Sequence, residues 1–286
     1  MSQRRACQTV GQPRSTQRYL PRPRDDERSL VKRMRELSGK HPRYGYRRIT
    51  ALLRREGWAV NRKRVHRLWK REGLKVPSRQ HKKRRWGTSD EGVIHRRAEH
   101  INHVWSYDFV MDETEDGRRL KVLPILDEYT RECLALEVER SITAQDVIAV
   151  LEYLFLVRGA PKFLRSDNGP EFIAEAVKAW LKPLHVKPAY IEPGSPWENA
   201  YSESFGSRLR DEFLNREVFA NVREAKVLAE DYRRDYNEAR PHSSLGYVAP
   251  AEFARACVAS GSATLRLPQH TLSLGKTSST LITCGT

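Results

Sequence analysis

Three acidic residues stand out by where they fall. Asp108 sits inside an otherwise apolar run, VWSYDFV (104–110). An ionised carboxylate buried there is costly unless it is paired or holds a metal. Asp167 closes the short run KFLRSD (162–167) and is followed by Asn168-Gly169-Pro170, a sharp turn that aims the carboxylate off a sheet edge. Glu203 lies within a helical segment, ENAYSESF (198–205), with 35 residues between it and Asp167. Each also has an ordinary reading: the strand-end Asp as a turn cap, the helical Glu as part of a solvated face. Arg210 follows Glu203 by seven residues, about 20° short of two helical turns, and Asn199 precedes it by four. All three therefore share one helix face.

The surrounding pattern says which elements carry these residues. VWSYDFV (104–110), LKVLPIL (120–126) and ECLALEV (132–138) read as strands, with hairpin connections at Glu115-Asp116-Gly117 and Asp127-Glu128. TAQDVIAVLEYLFLVRG (143–159) reads as a helix opened by Thr143 and closed by Gly159. KFLRSD is a short buried strand, a helix follows from Pro170, VKPAYI (186–191) is a further strand, and helices are expected from Trp197 and over 222–239. Three strands, then helix, strand, helix, strand, helix, make a mixed α/β sheet. Asp127 and Thr130 are expected to shape a hairpin, and Trp105 and Trp197 either pack in the core or stack on bases.

Upstream the chain is different. Residues 1–100 hold 30 Lys and Arg against 9 Asp and Glu, whereas the remainder holds 22 against 27. So cationic a first third suits a polyanion, since each Lys or Arg set on a phosphate releases condensed counterions; a solvated basic surface is the plainer alternative. A short helix, a turn at Gly11-Gln12-Pro13 and a second helix capped by Ser15 or Thr16 are expected first. Residues 1–28 then form a basic segment and linker, with PRPRDDER (21–28) disfavouring helix. Residues 29–75 carry three helical patterns: Leu30, Val31, Met34 and Leu37; Ile49, Leu52 and Leu53; and Val65, Leu68 and Trp69 after an Asn61 cap. The last two lie only a few residues apart, as in a helix-turn-helix, and Arg62, Lys63, Arg64 and Arg67 fall where a recognition helix meets DNA. Residues 76–100 form a basic linker, 101–255 the α/β core, and 256–286 a Ser/Thr/Gly-rich tail expected to be disordered.

Together the motifs resemble a known family. NHVWSYDFV (102–110), RSDNGPEF (165–172), PGSPWENAYSESFGSRLRDE (193–212), LDEYTRECLALEV (126–138), DYNEARPHSSLGYVAPAEF (235–253) and HPRYGYRRI (41–49) are similar to bacterial insertion-sequence transposases. The nearest group makes its transposase from two overlapping reading frames, and this chain resembles the second-frame product. The resemblance implies a ribonuclease-H-like, retroviral-integrase-like core with a mixed five-stranded sheet and flanking helices, preceded by a small all-α helix-turn-helix domain. It implies that Asp108, Asp167 and Glu203 are the catalytic, metal-binding acids and that Arg210 contacts DNA phosphate; Asn199, on the same helix face, orients the acid or binds DNA, and the recognition-helix pattern itself places DNA contacts on Arg62, Lys63, Arg64 and Arg67. It further implies Mg²⁺ (or Mn²⁺), two ions, as cofactor. The implied partners are element terminal repeats and target DNA, a first-frame product as fusion partner, and other copies of the chain on DNA. Arg240, His242 and Ser243 match a family motif whose chemistry the residues do not reveal. Gly206 stands where relatives often have Asn, and Ser195-Pro196-Trp197 departs from the common Lys-rich form.

The remaining signals narrow the class. Cys7, Cys133, Cys257 and Cys284 are scattered without a CxxC pair, which argues against a disulfide scaffold or cysteine zinc site. The apolar stretch Val147–Val157 is interrupted by Glu152 and too short to span a bilayer. A cytoplasmic, nucleoid-associated protein is expected. A silent DNA-binding relic, a nuclease that cuts without joining, and a regulatory helix-turn-helix protein are the competing classes.

Overall fold

Pro124, in the middle of a β-strand, shapes the part of the fold that matters most for Asp108. The computed structural model describes residues 2–18, 24–76, 97–166, 175–190 and 200–259. The chain divides into two compact units, Met1–His81 and Lys82–Thr286.

In the second unit β1 (Val104–Tyr107) and β2 (Val110–Glu113) pair antiparallel with β3 (Arg119–Asp127), which pairs with β4 (Cys133–Glu139) on its other side. β1 also pairs in parallel with β5 (Phe163–Ser166), and β5 with β6 (Lys187–Tyr190). β1 and β2 therefore lie end to end along one edge of β3, and six strands fill five positions of a mixed sheet.

Sequence periodicity reads 104–110 as one strand; the structure breaks it at Asp108 and Phe109. The register does not slip across the break, because Tyr107↔Ile125 and Val110↔Val122 belong to the same alignment. Pro124 is the residue opposite Asp108 in that alignment. The Glu128 N–H donates to Val104 O, so even-numbered residues on this strand direct their N–H toward β1 and β2. At position 124 that donor is missing, and the ladder opens there.

Two apolar layers enclose the sheet. On one face Trp105, Tyr107, Leu123, Ile125 and Leu164 pack under α6 (Ala144–Arg158) and α7 (Glu175–Leu181). Thr143 and Asp146 form the capping box of α6, and Gly159 (φ 82°) ends it. On the other face Val110, Val122, Leu126 and Val138 pack against α8 (Ala200–Leu209), the π turn Arg210–Leu214 and α9 (Val222–Glu238). The hairpin between β2 and β3 turns at Gly117 (φ 72°), whose N–H donates to Thr114 O. A final helix, α10 (Pro250–Ala259), buries Cys257, so ordered structure runs past position 256, where the composition suggests a tail.

The first unit is helical. After α1 (Gln3–Thr9) and a turn at Gly11 (φ 64°), α2 (Arg14–Gln17) starts behind Pro13 rather than at a Ser15 or Thr16 cap. α3 (Glu27–Lys40), α4 (Tyr46–Arg55) and α5 (Arg62–Arg71) share one core of Leu30, Met34, Ile49, Leu53, Val65 and Leu68. The Asn61 side chain caps α5 by accepting from the Lys63 N–H at 2.9 Å. α3 begins two residues inside the stretch whose prolines suggest a linker, because Glu27 is buried and paired with Arg71 at 2.6 Å.

Candidate active site

Asp108 occupies the ladder break opposite Pro124 and is half-buried. Strand alternation assigns it to the face shared by Ser106 and Val110, the face on which α8 packs. α8 rests on that face through Ser202, Phe205 and Leu209, and comes so close that a Cβ added at Gly206 would meet Val110 Cγ2 at 3.4 Å. Glu203 projects from the same helix and is exposed. β5, paired in parallel beside β1, ends at Ser166, and Asp167 is the next residue in the chain. Asp167 and Asn199 lie outside the described residues, as does Trp197. The expected donor set is wholly carboxylate oxygen, the type a hard divalent cation prefers. Among the described residues no three Asp, Glu, His or Cys side chains gather as a metal site, and the third acid of the set is not among them.

Arg210 is the first residue of the π turn that continues α8. Its Nη2 donates to Met111 O at 2.9 Å, which ties the end of the helix to β2, while the side chain stays exposed. Its charge also acts on Asp112, whose carboxyl is pushed up by burial while Arg210 pulls it back.

Behind the strands that lead to Asp108 and Asp167 lies a buried ion pair absent from the sequence reading. Arg165 on β5 and Glu128 approach to 3.4 Å, and their side chains are 9% and 0% exposed. Burial pushes the Glu128 carboxyl up to about 7, against the pull of Arg165 and Arg131. A charged residue in each of two apolar runs, one of either sign, was the signal that could have found it. The neighbouring turn is as expected: Asp127 accepts from the N–H groups of Tyr129 (2.8 Å), Thr130 (3.1 Å) and Asn102 (2.8 Å). Burial nonetheless leaves its carboxyl raised. Trp105 is fully buried, its Nε1 donating to Asn102 Oδ1 at 3.1 Å, which makes it a core residue.

The family motif at 240–243 has a structural role. Arg240 is buried and donates through Nε and Nη2 to Glu212, and His242 lies 3.2 Å from the Tyr236 hydroxyl and 3.0 Å from the Ser244 hydroxyl. Ser243 opens a 3₁₀ turn that ends at Leu245.

In the helical unit Arg62, Lys63 and Arg67 are exposed on α5. Arg64 differs from the expectation of a free DNA contact. It is mostly buried and grips Asp26 with two bonds of 2.9 and 2.6 Å, and Asp26 is held below the usual carboxylate range by that hydrogen bonding. Arg67 faces Glu27 at 3.7 Å. Among the described residues no helix is long and apolar enough to cross a membrane.

Comparison with known proteins agrees with this architecture. Two models described as integrase core domain match residues 98–196 and 184–250, and one described as HTH-like domain matches residues 24–83. A 31.7 kDa protein of insertion element IS407 from Burkholderia multivorans is 40% identical, covering 89% of this chain and 91% of the relative. A 39.2 kDa protein of insertion element IS476 from Xanthomonas euvesicatoria is also 40% identical, covering 89% and 72%. The Escherichia coli transposase InsD of insertion element IS2 is 30% identical, covering 80% and 79%. The chain belongs to the insertion-element transposases, polynucleotidyl transferases of the DDE type with an integrase core, which act in DNA transposition and integration.

Proposed function

We propose that this transposase cuts the ends of its insertion element and joins them to target DNA at one site made by Asp108, Asp167 and Glu203. The observation that carries this reading is the ladder break at Asp108 on the sheet face covered by the Glu203 helix, beside a strand whose next residue is Asp167. The three carboxylates would hold two Mg²⁺ ions, with Mn²⁺ as a substitute. Bound there, such a pair supplies activation of an attacking oxygen and charge stabilisation of a leaving one in an in-line displacement.

The chain's own groups do the positioning. Pro124 keeps the backbone open at Asp108, and the Met111 carbonyl fixes Arg210 beside β2, where its exposed guanidinium contacts DNA phosphate. Asn199 serves the same strand from the start of the α8 segment. With water as nucleophile one P–O bond forms to the water oxygen as the P–O3′ bond breaks at the element end, leaving a 5′-phosphate and a free 3′-hydroxyl. With that hydroxyl as nucleophile, one P–O bond forms in the target as another breaks, so the joining step consumes no external energy source.

The helical unit selects the DNA ends. Arg62, Lys63 and Arg67 on α5 contact the duplex, and Arg64 instead holds α5 to the start of α3. The Lys and Arg side chains of the 76–100 linker add sequence-independent attraction to DNA phosphate. Copies of the chain assemble on paired ends, joined to a first-frame product, in the cytoplasm where the nucleoid supplies both ends and target.

The test is cleavage and joining of labelled element-end DNA in Mg²⁺, comparing wild type, a fusion with the first-frame product, and Asp167→Asn in that fusion. Cleaved and joined products from the fused wild type, and none from the variant, are expected. Equal products from both would overturn the assignment.

A further inference from the structure

A cavity of about 340 Å³ lies beside α8, the helix that carries Glu203. One wall is the α8 stripe Tyr201, Ser204, Phe205 and Arg208; Glu128 and Arg131 of the β3–β4 turn form another. The cavity is of the size that encloses a small planar ligand.

Its polar groups are incompletely used. Glu128 is 1% exposed, and neither of its carboxylate oxygens has a hydrogen bond of full geometry among the described residues; the Arg165 contact at 3.4 Å is an ion pair, and the neighbouring Ser106 hydroxyl also favours the charged form. Leaving such acceptors buried without donors costs free energy that a ligand bearing N–H groups would recover. Arg131 Nη1 is likewise buried and has no acceptor among the described residues. The Arg131 guanidinium lies 3.9 Å from the centroid of the Tyr201 ring, so the cavity carries a flat cationic–aromatic platform. Arg131 is held at a positive φ of 65°, a conformation costly for a side-chain-bearing residue and retained where the surroundings require it.

A ligand matching this set is planar, offers paired donors to a carboxylate, and offers paired acceptors to a guanidinium. Among DNA bases guanine meets all three conditions: N1–H and the N2 amino group donate on one edge, and O6 and N7 accept on the next, the latter pair being the usual partner of Arg. Adenine and cytosine present one amino donor each beside a ring acceptor, and thymine lacks the amino group. A base inside a duplex cannot enter such a cavity, so the guanine must be unstacked.

We propose that this cavity binds a single unstacked guanine of the DNA substrate, with Glu128 reading its N1–H and N2 amino group, Arg131 its O6/N7 edge, and Tyr201 supporting the stack. The proposal rests on the DNA-processing reading above. It gives the DEYTR segment (127–131) a role in base recognition that a turn alone does not require.

The test uses the full chain and fluorescein-labelled short oligothymidylates carrying one central guanine, adenine or cytosine, read by anisotropy. The guanine probe is expected to bind about tenfold more tightly than the other two, within the range of one good bidentate base contact. Glu128→Gln is expected to erase that preference. If Glu128→Gln fails to fold, Arg131→Gly, which suits the positive φ, carries the test and is expected to lose the preference too. A wild-type chain without guanine preference, or a folded variant that keeps it, overturns the proposal. Mg²⁺-dependent cleavage of element-end DNA is scored in parallel on the wild-type fusion with the first-frame product. Cleavage without guanine preference sinks the cavity assignment alone, and guanine preference without cleavage sinks the catalytic reading alone.

Discussion

Arg240 holds Glu212 by two hydrogen bonds of 2.6 Å each, from Nε to one carboxylate oxygen and from Nη2 to the other. Both side chains are buried, at 1% and 9% exposure. The pair joins the end of α9 to the π turn that extends α8, so it fixes the helix bearing Glu203 from a distance in sequence of 28 residues. Removing one partner leaves an uncompensated buried charge. Arg240→Met is therefore expected to destabilise the chain by about 3–5 kcal/mol. Urea titration of Arg240→Met, Glu212→Gln and the double variant checks this. A double variant costing as much as the two single changes added together would show that the two groups do not act as a pair.

Pro124 is expected to matter for activity more than for stability. Replacing it with Val supplies the missing N–H opposite Asp108 and a side chain that suits a strand, so β1 and β2 can join into one continuous ladder. The Pro124→Val chain should melt no lower than wild type, show slower amide exchange over residues 107–110, and cleave element ends about tenfold or more slowly. Unchanged cleavage alongside slowed exchange would show that the open backbone at Asp108 is not needed.

Glu128 gives the core a pH dependence of definite sign. Its carboxyl rises from the ordinary 4.5 to about 7, first because of burial, with Asp127 adding to the rise and Arg165 and Arg131 opposing it. Between those values the folded chain holds a proton that the unfolded chain has released. Stability contributed by this group is therefore highest below about pH 4.5 and declines as pH rises to about 7, by on the order of 3 kcal/mol. Glu128→Gln cannot release that proton. The variant's stability relative to wild type should rise across this window in urea titrations at matched ionic strength. A constant difference between the two would mean that Glu128 does not titrate there.

What the sequence made legible is mostly local. The Asn61 cap, the Thr143 and Gly159 ends of α6, the Gly117 turn and the Asp127 hairpin each depend on residues within a few positions, and each is found as expected. The order of strands and helices followed from periodicity for the same reason. The misses come from partners distant in the chain. The break at Asp108 is caused by Pro124 across the ladder. The pairing of Arg64 with Asp26, 38 residues earlier, is likewise beyond the reach of local pattern. Glu128 and Arg165, and Arg240 and Glu212, are pairs that only the fold brings together. Of the candidate site, Asp108, Glu203 and Arg210 are located on one sheet face and its covering helix, while Asp167 and Asn199 lie outside the described residues.

The division of labour on α5 separates in a binding experiment. Arg62 and Lys63 are exposed in the first turn of the helix, whereas Arg64 is spent on Asp26. If the first two neutralise phosphates, Arg62→Ala and Lys63→Ala should each weaken binding to element-end and unrelated duplexes alike. Each should also lower the slope of log affinity against log salt by about 1, with no change in melting temperature. Arg64→Ala should instead lower the melting temperature of the helical unit by several degrees, because it releases the contact between α5 and the start of α3. Its salt slope, measured where the unit is folded, should match wild type. An Arg64→Ala chain that melts like wild type but loses salt dependence would reverse the assignment and make Arg64 the phosphate contact.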